Sequence, residues 1–231
     1  MEVSNKDIYT AIWNANNGYP SKAIAFLRSL VKKDASPTST VGTNKIAVVV
    51  GHNSKSKGAY CKGDINQYEY DYNSEVALYM LDIADHLPNI EVKVFHRKYL
   101  GKKMYTAEIM EVYKRVNAWN PKATCEIHFN WLNGAGRIEM LHLLNSSESK
   151  KLSSILLSKV SKLMDQSGDL KIVARKKNDR GGKSLYYCKS PISMTEPFDC
   201  TNDAHRRKIH SVGKKSLAQS YIDSFTTYFD S

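Results

Sequence analysis

An unbroken run of apolar residues, Ile46-Ala47-Val48-Val49-Val50, constrains the fold of this chain more than any other feature. A strand that is exposed on one face alternates apolar and polar residues, so an uninterrupted apolar run indicates a strand buried on both faces. Such strands are typical of parallel sheets. Helix-like and strand-like stretches alternate after the run, which predicts an α/β fold with a mainly parallel twisted sheet and helices on both faces.

The spacing of apolar residues and the turn signals predict the other elements of this fold. Asn73-Ser74 is expected to cap the first helix of the main region. The predicted helices cover residues 73–86, 105–118, 148–164 and 213–229. The further predicted strands cover residues 90–95, 123–129, 137–143 and 185–194.

A polar segment separates this region from the N-terminus. Residues 33–44 read KDASPTSTVGTN, a composition that is typical of a linker. Upstream of it, residues 7–16 and 20–33 are expected to be two short helices. We therefore predict a two-helix appendage with its linker over residues 1–40 and a main domain over residues 41–231.

The composition excludes several classes of protein. The 231 residues are 42% hydrophobic and 10% aromatic, which suffices for a sizeable core and excludes disorder, a coiled coil and collagen. No apolar run approaches the ~20 residues that cross a bilayer, and the N-terminus lacks the pattern of a signal peptide. We expect a soluble chain without an export signal or transmembrane segment.

The net charge of +11 is concentrated in the C-terminal third. Residues 150–189 carry +8 and residues 205–215 carry +5, so the rest of the chain sums to −2. Such a surface attracts polyanions of any kind. Neither helix-turn-helix nor zinc-finger spacing appears, so no specific nucleic-acid partner is predicted, although a basic nucleic-acid-binding module remains an alternative.

The four cysteines show no metal-binding or disulfide-rich pattern. Cys61, Cys125, Cys188 and Cys200 are widely spaced and contain no C-x-x-C pair. We expect free thiols in a reducing compartment.

Histidine and glutamate residues follow several of the predicted strands. His52, His128 and Glu196 each stand at a strand end, and Glu75 lies in the first turn of the helix that begins near residue 73. Functional groups gather at the carboxyl ends of strands in open parallel sheets. Two histidines and a carboxylate are the ligands of many catalytic zinc sites, and a second carboxylate is then free for proton transfer.

Four segments containing these residues resemble the zinc-dependent N-acetylmuramoyl-L-alanine amidases of the amidase_3 family, in the order in which that family has them. The departures from the family pattern are the Asn, Ser and Lys residues over 53–57 and the position of Phe198. The resembling segments are VVVGHNSKSKGAY, NSEVALYMLDIADHL, EIHFNWLNGAGRIEML and ISMTEPFDCTNDA.

The resemblance implies a peptidoglycan hydrolase that cleaves the amide between N-acetylmuramic acid and L-alanine of the stem peptide. It implies that His52, Glu75 and His128 bind one Zn²⁺ ion per chain and that Glu196 is the catalytic acid and base. A zinc carboxypeptidase acting on wall peptides is the alternative enzyme, and a catalytically inactive wall-binding protein is a further one.

Three other residues are candidates for substrate contacts. Asn130 either orients substrate or caps a strand, and Glu139 either lies near the site or is an alternating polar residue of its strand. Arg180, in the turn NDRGGKS, either contacts carboxylates of the stem peptide or is a solvated loop residue.

The resemblance also implies a biological setting, that of a bacteriophage endolysin. Such an enzyme accumulates in the host cytoplasm and reaches the cell wall or periplasm after the membrane is permeabilised. We expect a monomer whose basic C-terminal third is attracted to anionic cell-envelope polymers. The appendage over residues 1–40 either packs on the main domain or binds the wall.

Overall fold

The structure, a computed structural model, describes residues 42–166 and 169–231. The predicted appendage over residues 1–40 lies outside these ranges. Within them, every helix is too short or too polar to cross a bilayer.

The described residues form eight strands and six helices. The strands are β1 Asn44–Val50, β2 Tyr60–Cys61, β3 Gln67–Tyr68, β4 Ile90–His96, β5 Ala123–Ile127, β6 Ile138–Leu143, β7 Leu170–Arg175 and β8 Ile192–Glu196. The helices are α1 Glu69–Ala84, α2 Tyr105–Trp119, α3 Ser147–Leu163, α4 Gly182–Tyr187, α5 Asp203–Val212 and α6 Lys214–Phe229.

Six of the strands form one mainly parallel sheet in the order β4-β1-β5-β8-β6-β7. The strands β4, β1, β5 and β8 run parallel to one another, whereas β6 is antiparallel to β8 and parallel to β7. The carboxyl ends of β1, β5 and β8 therefore meet at one edge of the sheet. The amino end of β6 reaches the same edge, which places Glu139 opposite Glu196.

Helices cover both faces of the sheet, as the apolar run of β1 predicts. Val48 and Val50 pack in a core cluster with residues of α1, α3 and α6, whereas Ala47 and Val49 pack with residues of α2 and α4 on the other face. All residues of Ile46–Val50 are at most 1% exposed, so β1 is a fully buried strand. The predicted α/β class is confirmed.

The predicted elements differ from the structure at four places. The predicted strand 185–194 begins as the helix α4, in which Leu185 packs against α2, and the strand β8 starts only at Ile192. The predicted final helix over residues 213–229 is confirmed as α6, but the helix α5 before it was not predicted, and Gly213 with a φ of 81° separates the two. The largely exposed edge strand β7 was not predicted because it offers no regular apolar alternation.

Finally, α1 starts at Glu69 rather than near residue 73, and the Ser74 hydroxyl donates to the Tyr70 carbonyl inside the helix.

Two of the four cysteines form a disulfide, which corrects the prediction of free thiols. Cys61 in β2 is bonded to Cys200 in the loop after β8, with 5.4 Å between their Cα atoms. The fold brings together residues that are 139 positions apart in sequence. Cys125 and Cys188 are free, as predicted, and both are buried. The disulfide connects the two loops that flank the sheet edge.

Reduction of this disulfide is expected to lower the free energy of unfolding by about 2 to 5 kcal/mol, because it releases a long closed loop in the unfolded chain. Urea unfolding with and without reductant measures the effect. The matched control is the double variant Cys61→Ser with Cys200→Ser, on which reductant should have no effect. An unchanged unfolding midpoint of the wild-type protein in reductant would contradict the prediction.

Candidate metal centre

The loop after β1 places His52 at the sheet edge. His52 has a φ of 65°, a left-handed conformation that turns the chain sharply after the strand. The next residue fixes the turn, because the Asn53 side-chain oxygen accepts from the backbone of Lys55 at 3.0 Å and Ser56 at 2.7 Å. The Asn53 amide also donates to Glu108 of α2 at 2.9 Å. This Asn-centred turn occupies the segment that departs from the family pattern.

Glu69, the first residue of α1, lies between the two candidate histidines. One oxygen of its carboxylate is 3.0 Å from Nε2 of His52, and the other is 2.7 Å from Nδ1 of His128. The carboxylate is 4% exposed, and its position at a helix N-terminus favours negative charge. The fold thus brings an imidazole from each of two neighbouring strands to one carboxylate.

Two glycines allow this close approach. A Cβ atom on Gly51 would lie 2.3 Å from Cε1 of His128, and a Cβ atom on Gly58 would lie 2.6 Å from Oε2 of Glu69. Gly58 also has a φ of 78°, which side-chain-bearing residues rarely adopt. The Gly51-His52 and Gly58-Ala59 pairs in the sequence therefore provide the room that the site requires.

His128 is held on its other side by a second buried carboxylate. Its Nε2 atom is 3.0 Å from Oε1 of Glu126, which is 2% exposed on the opposite face of β5 from Ile127. The Tyr113 hydroxyl of α2 donates to the other oxygen of Glu126. A carboxylate that binds the distal nitrogen of a histidine fixes the orientation of the ring and leaves its other nitrogen directed at the site.

The charges of these groups depend on one another. Burial alone would lower the pKa of His128, but hydrogen bonds to Glu126 and Glu69 outweigh it and raise this pKa to about 10. Burial likewise raises the pKa of Glu126, and the His128 hydrogen bond reverses the shift and lowers it to about 2. The hydrogen bonds from His128 and His52 hold the pKa of Glu69 below its usual range despite burial. Without a metal, an imidazolium thus lies between two carboxylates.

His52, Glu69 and His128 together form a group that can hold a metal ion. One candidate ligand atom from each residue lies within 4.8 Å of the other two. Two imidazoles and one carboxylate are the protein ligands of many catalytic zinc sites, in which the fourth position is open. The chemistry of these donors fits the zinc ion that the sequence predicts.

Glu75 does not belong to this group, so its predicted place beside the histidines is wrong. Its carboxylate accepts from Gln67 at 2.7 Å and pairs with Lys214, the first residue of α6, at 2.6 Å. Glu69 and Glu75 are six residues apart on α1, which separates them by about 9 Å along the axis and roughly 120° around it. Because α1 begins at Glu69 rather than near residue 73, the glutamate in its first turn is Glu69 and not Glu75.

The Glu196 carboxylate lines the same cavity as the three residues of the metal group, and so do Asn130 and Glu139. Burial raises the pKa of Glu196 to about 7, with further repulsion from Glu69 and Glu139 and opposing attraction to His128 and Arg180. Glu139 is 9% exposed and accepts from the Asn130 amide at 2.7 Å. Glu139 is therefore a residue of the cavity wall, while contact of either side chain with substrate stays a prediction.

The cavity has a volume of about 350 Å³ and continues past these acids. Aromatic side chains of Tyr105 and Trp131 lie on its wall, and both residues are nearly half exposed. Arg180 also lines it, together with Arg137 and Arg175, which sequence reasoning did not single out. The site is thus an open cleft that combines carboxylates, imidazoles, aromatic rings and guanidinium groups.

A parallel sheet that carries two imidazoles, a carboxylate between them and a further carboxylate at its edge has the arrangement of a metal-dependent hydrolase. The sequence profile of the amidase_3 family, described as N-acetylmuramoyl-L-alanine amidase, matches residues 46–226, well over half of the chain. The chain belongs to this family and is a peptidoglycan amidase. This membership decides against the peptidase and nucleic-acid-binding alternatives. A comparison with curated protein sequences found no significant match.

Solved structures of amidases share the fold. The N-acetylmuramoyl-L-alanine amidase from Clostridium difficile 630 is similar with a TM-score of 0.67 and 19% identity over 82% of this chain and 98% of that one. The catalytic domain of the CD27L endolysin, which targets Clostridia difficile, gives a TM-score of 0.64 and 21% identity over 79% and 97%. The catalytic domain of CwlV from Bacillus (Paenibacillus) polymyxa var. colistinus gives 0.64 and 19% over 80% and 98%.

Replacement of the buried carboxylate, Glu126→Gln, is expected to lower the free energy of unfolding of the metal-free protein by about 1 to 3 kcal/mol, because a carboxamide has one acceptor oxygen for two donors, Tyr113 and His128, and His128 loses a charged partner. Urea unfolding in chelator measures this loss. The pKa of His128 is raised to about 10 from an ordinary 6.5. The contribution of the charged His128–Glu126 pair to the free energy of unfolding is therefore complete below pH 6.5 and disappears as the pH rises through about 10.

The matched control for this prediction is Glu91→Gln, which removes an exposed carboxylate from β4. The control should leave the unfolding midpoint within experimental error. A Glu126→Gln variant as stable as the control at pH 6 would show that the buried carboxylate does not stabilise His128.

Proposed function

We propose that His52, Glu69 and His128 hold one Zn²⁺ ion and that Glu196 is the general base for hydrolysis of the amide between N-acetylmuramic acid and L-alanine. The observation that supports this proposal is the convergence of three candidate ligand atoms within 4.8 Å of one another at the sheet edge. Glu196 supports it by lining the same cavity.

Bound zinc supplies a Lewis acid that makes water a stronger nucleophile and polarises a carbonyl group. Glu196 accepts the proton of the attacking water on its carboxylate. It then donates that proton to the nitrogen of the departing L-alanine, because a neutral amine is a better leaving group than the deprotonated amine anion. Its raised pKa suits both steps, since a group with a pKa near neutrality can take up a proton and release it.

The buried groups behind the ligands have a positioning role in this proposal. Glu126 accepts from Nε2 of His128, so Nδ1 of the same ring is left to the site. The Tyr113 hydroxyl fixes Glu126 in turn. A hydrogen-bonded ligand of this kind needs no reorientation before it binds a metal, which increases the affinity of the site.

The choice of ligand on α1 is tested by a pair of variants. Glu69→Gln is expected to lower zinc affinity by at least about tenfold, whereas Glu75→Gln should bind zinc as the wild-type protein does, because its carboxylate contacts Gln67 and Lys214 instead. Competition with a chromogenic chelator measures both affinities without an activity assay. Weakened binding in Glu75→Gln with normal binding in Glu69→Gln would reverse the assignment.

The role of Glu196 is tested by Glu196→Gln, which keeps the shape of the side chain but removes its basic oxygen. We expect turnover to fall by about 10² to 10⁴ while zinc still binds at one ion per chain. Mass spectrometry of digested sacculi measures the release of peptides that begin with L-alanine, and elemental analysis measures zinc. Near wild-type release of these peptides by Glu196→Gln would exclude Glu196 as the general base.

We further infer that the enzyme acts as an endolysin and that its basic C-terminal third assists binding to the cell envelope. The similarity in fold to the catalytic domain of the CD27L endolysin is in keeping with this role. Several basic residues of this third are already paired, for example Lys208 with Asp165 and Lys214 with Glu75. Exposed lysines such as Lys176, Lys177 and Lys189 form no ion pair within the described residues, and their long-range attraction to anionic polymers is sensitive to salt.

A further inference from the structure

Two arginines line the cavity of the candidate metal centre without an acidic partner. Arg175 is the last residue of β7, and Arg180 lies in the turn that precedes α4. The Nε atom of Arg175 is buried and has no hydrogen-bond partner among the described residues. The Arg180 side chain is exposed and forms no ion pair within the described part of the chain. Both guanidinium groups are thus available to a ligand in the cavity.

Comparison with a third arginine shows what distinguishes this pair. Arg137 lines the same cavity, but its guanidinium is 2.8 Å from Asp169 and 3.3 Å from Glu139. Its charge is therefore compensated inside the protein. Arg175 lacks this compensation, and a buried N–H group without an acceptor destabilises the protein unless a ligand or water satisfies it.

The position of Arg180 connects this pair to the reacting centre. Arg180 lines the same cavity as Glu196 and Tyr105, and its charge lowers the pKa of both groups. A ligand held by Arg175 and Arg180 would therefore share the cavity with Glu196. The planar guanidinium group binds carboxylates with two parallel hydrogen bonds, so the chemistry of this pair selects a carboxylate.

We propose that Arg175 and Arg180 form a subsite for the free α-carboxylate of the second residue of the stem peptide, a γ-linked glutamate. This inference rests on the proposed function. That carboxylate is the first one along the stem peptide after the scissile amide, because both the amino group and the carboxyl group of L-alanine are in amide bonds. Stem peptides in which the same position is amidated lack the charge, so the subsite distinguishes the two forms of the wall.

The experiment compares two synthetic muramoyl tripeptides that differ only at this position, one with the α-carboxylate and one with the α-carboxamide. We expect the wild-type enzyme to show a kcat/KM at least about tenfold higher for the carboxylate, the selectivity of a hydrogen-bonded charge pair. The double variant Arg175→Gln with Arg180→Gln should bring the ratio of the two values close to one. Arg180→Gln alone, at an exposed position, should reduce the ratio in part.

Lys176→Gln is the matched control, since it removes a positive charge next to Arg175 from an exposed residue that does not line the cavity. It should keep the wild-type ratio. Equal kcat/KM values for the two substrates in the wild-type enzyme, or an unchanged ratio in the double variant with a wild-type thermal unfolding midpoint, would overturn the subsite. Failure of the proposed function gives a different result, because the wild-type enzyme would then release no L-alanine peptide from either substrate.

Discussion

The arrangement of the site depends on the carboxylate of Glu69, which lies between two imidazoles from different strands. His52 and His128 follow β1 and β5, which are parallel neighbours, so both residues reach the same edge of the sheet. Parallel pairing alone brings the rings to within 5.2 Å between centroids but does not orient them. The two oxygens of Glu69 orient both rings, one oxygen to each.

Several independent contacts fix the loops that carry these ligands. Asn53 attaches the loop after β1 to Glu108 of α2, and Glu126 attaches His128 to Tyr113 of the same helix. The Cys61–Cys200 disulfide connects the hairpin before α1 with the loop after β8. Preorganisation of this kind matters for catalysis, because a ligand or base that must first be ordered loses part of its advantage.

The sequence predicts the parts of the site that follow from strand periodicity. His52, His128 and Glu196 come directly after apolar runs, so their meeting at one edge of a parallel sheet could be inferred without a structure. Glu69 was missed because Asn73-Ser74 resembles a helix cap. The signal that would have identified Glu69 is helical spacing one turn earlier, where Tyr72 continues the apolar positions of α1 toward the N-terminus.

Features that depend on distant segments could not be predicted in this way. The disulfide joins residues 139 positions apart, and neither cysteine lies in a motif that names its partner. Arg175 lies on β7, an edge strand with largely exposed residues and no apolar alternation to reveal it. Arg175 pairs with Leu143, four residues along β6 from the Glu139–Glu196 pair, so strand register alone does not reveal that it lines the cavity.

The environments of the three cavity acids explain how one fold assigns them different roles. Hydrogen bonds from two histidines keep Glu69 ionised, and Glu139 is bound by the Asn130 amide and Arg137. Glu196 has no such hydrogen bond within the described residues, and burial with two neighbouring carboxylates raises its pKa to about 7. A cation bound at the three ligands would favour ionised Glu196, whereas the nearby acids favour its protonated form. These opposing effects suit a carboxylate that must accept a proton and then release it.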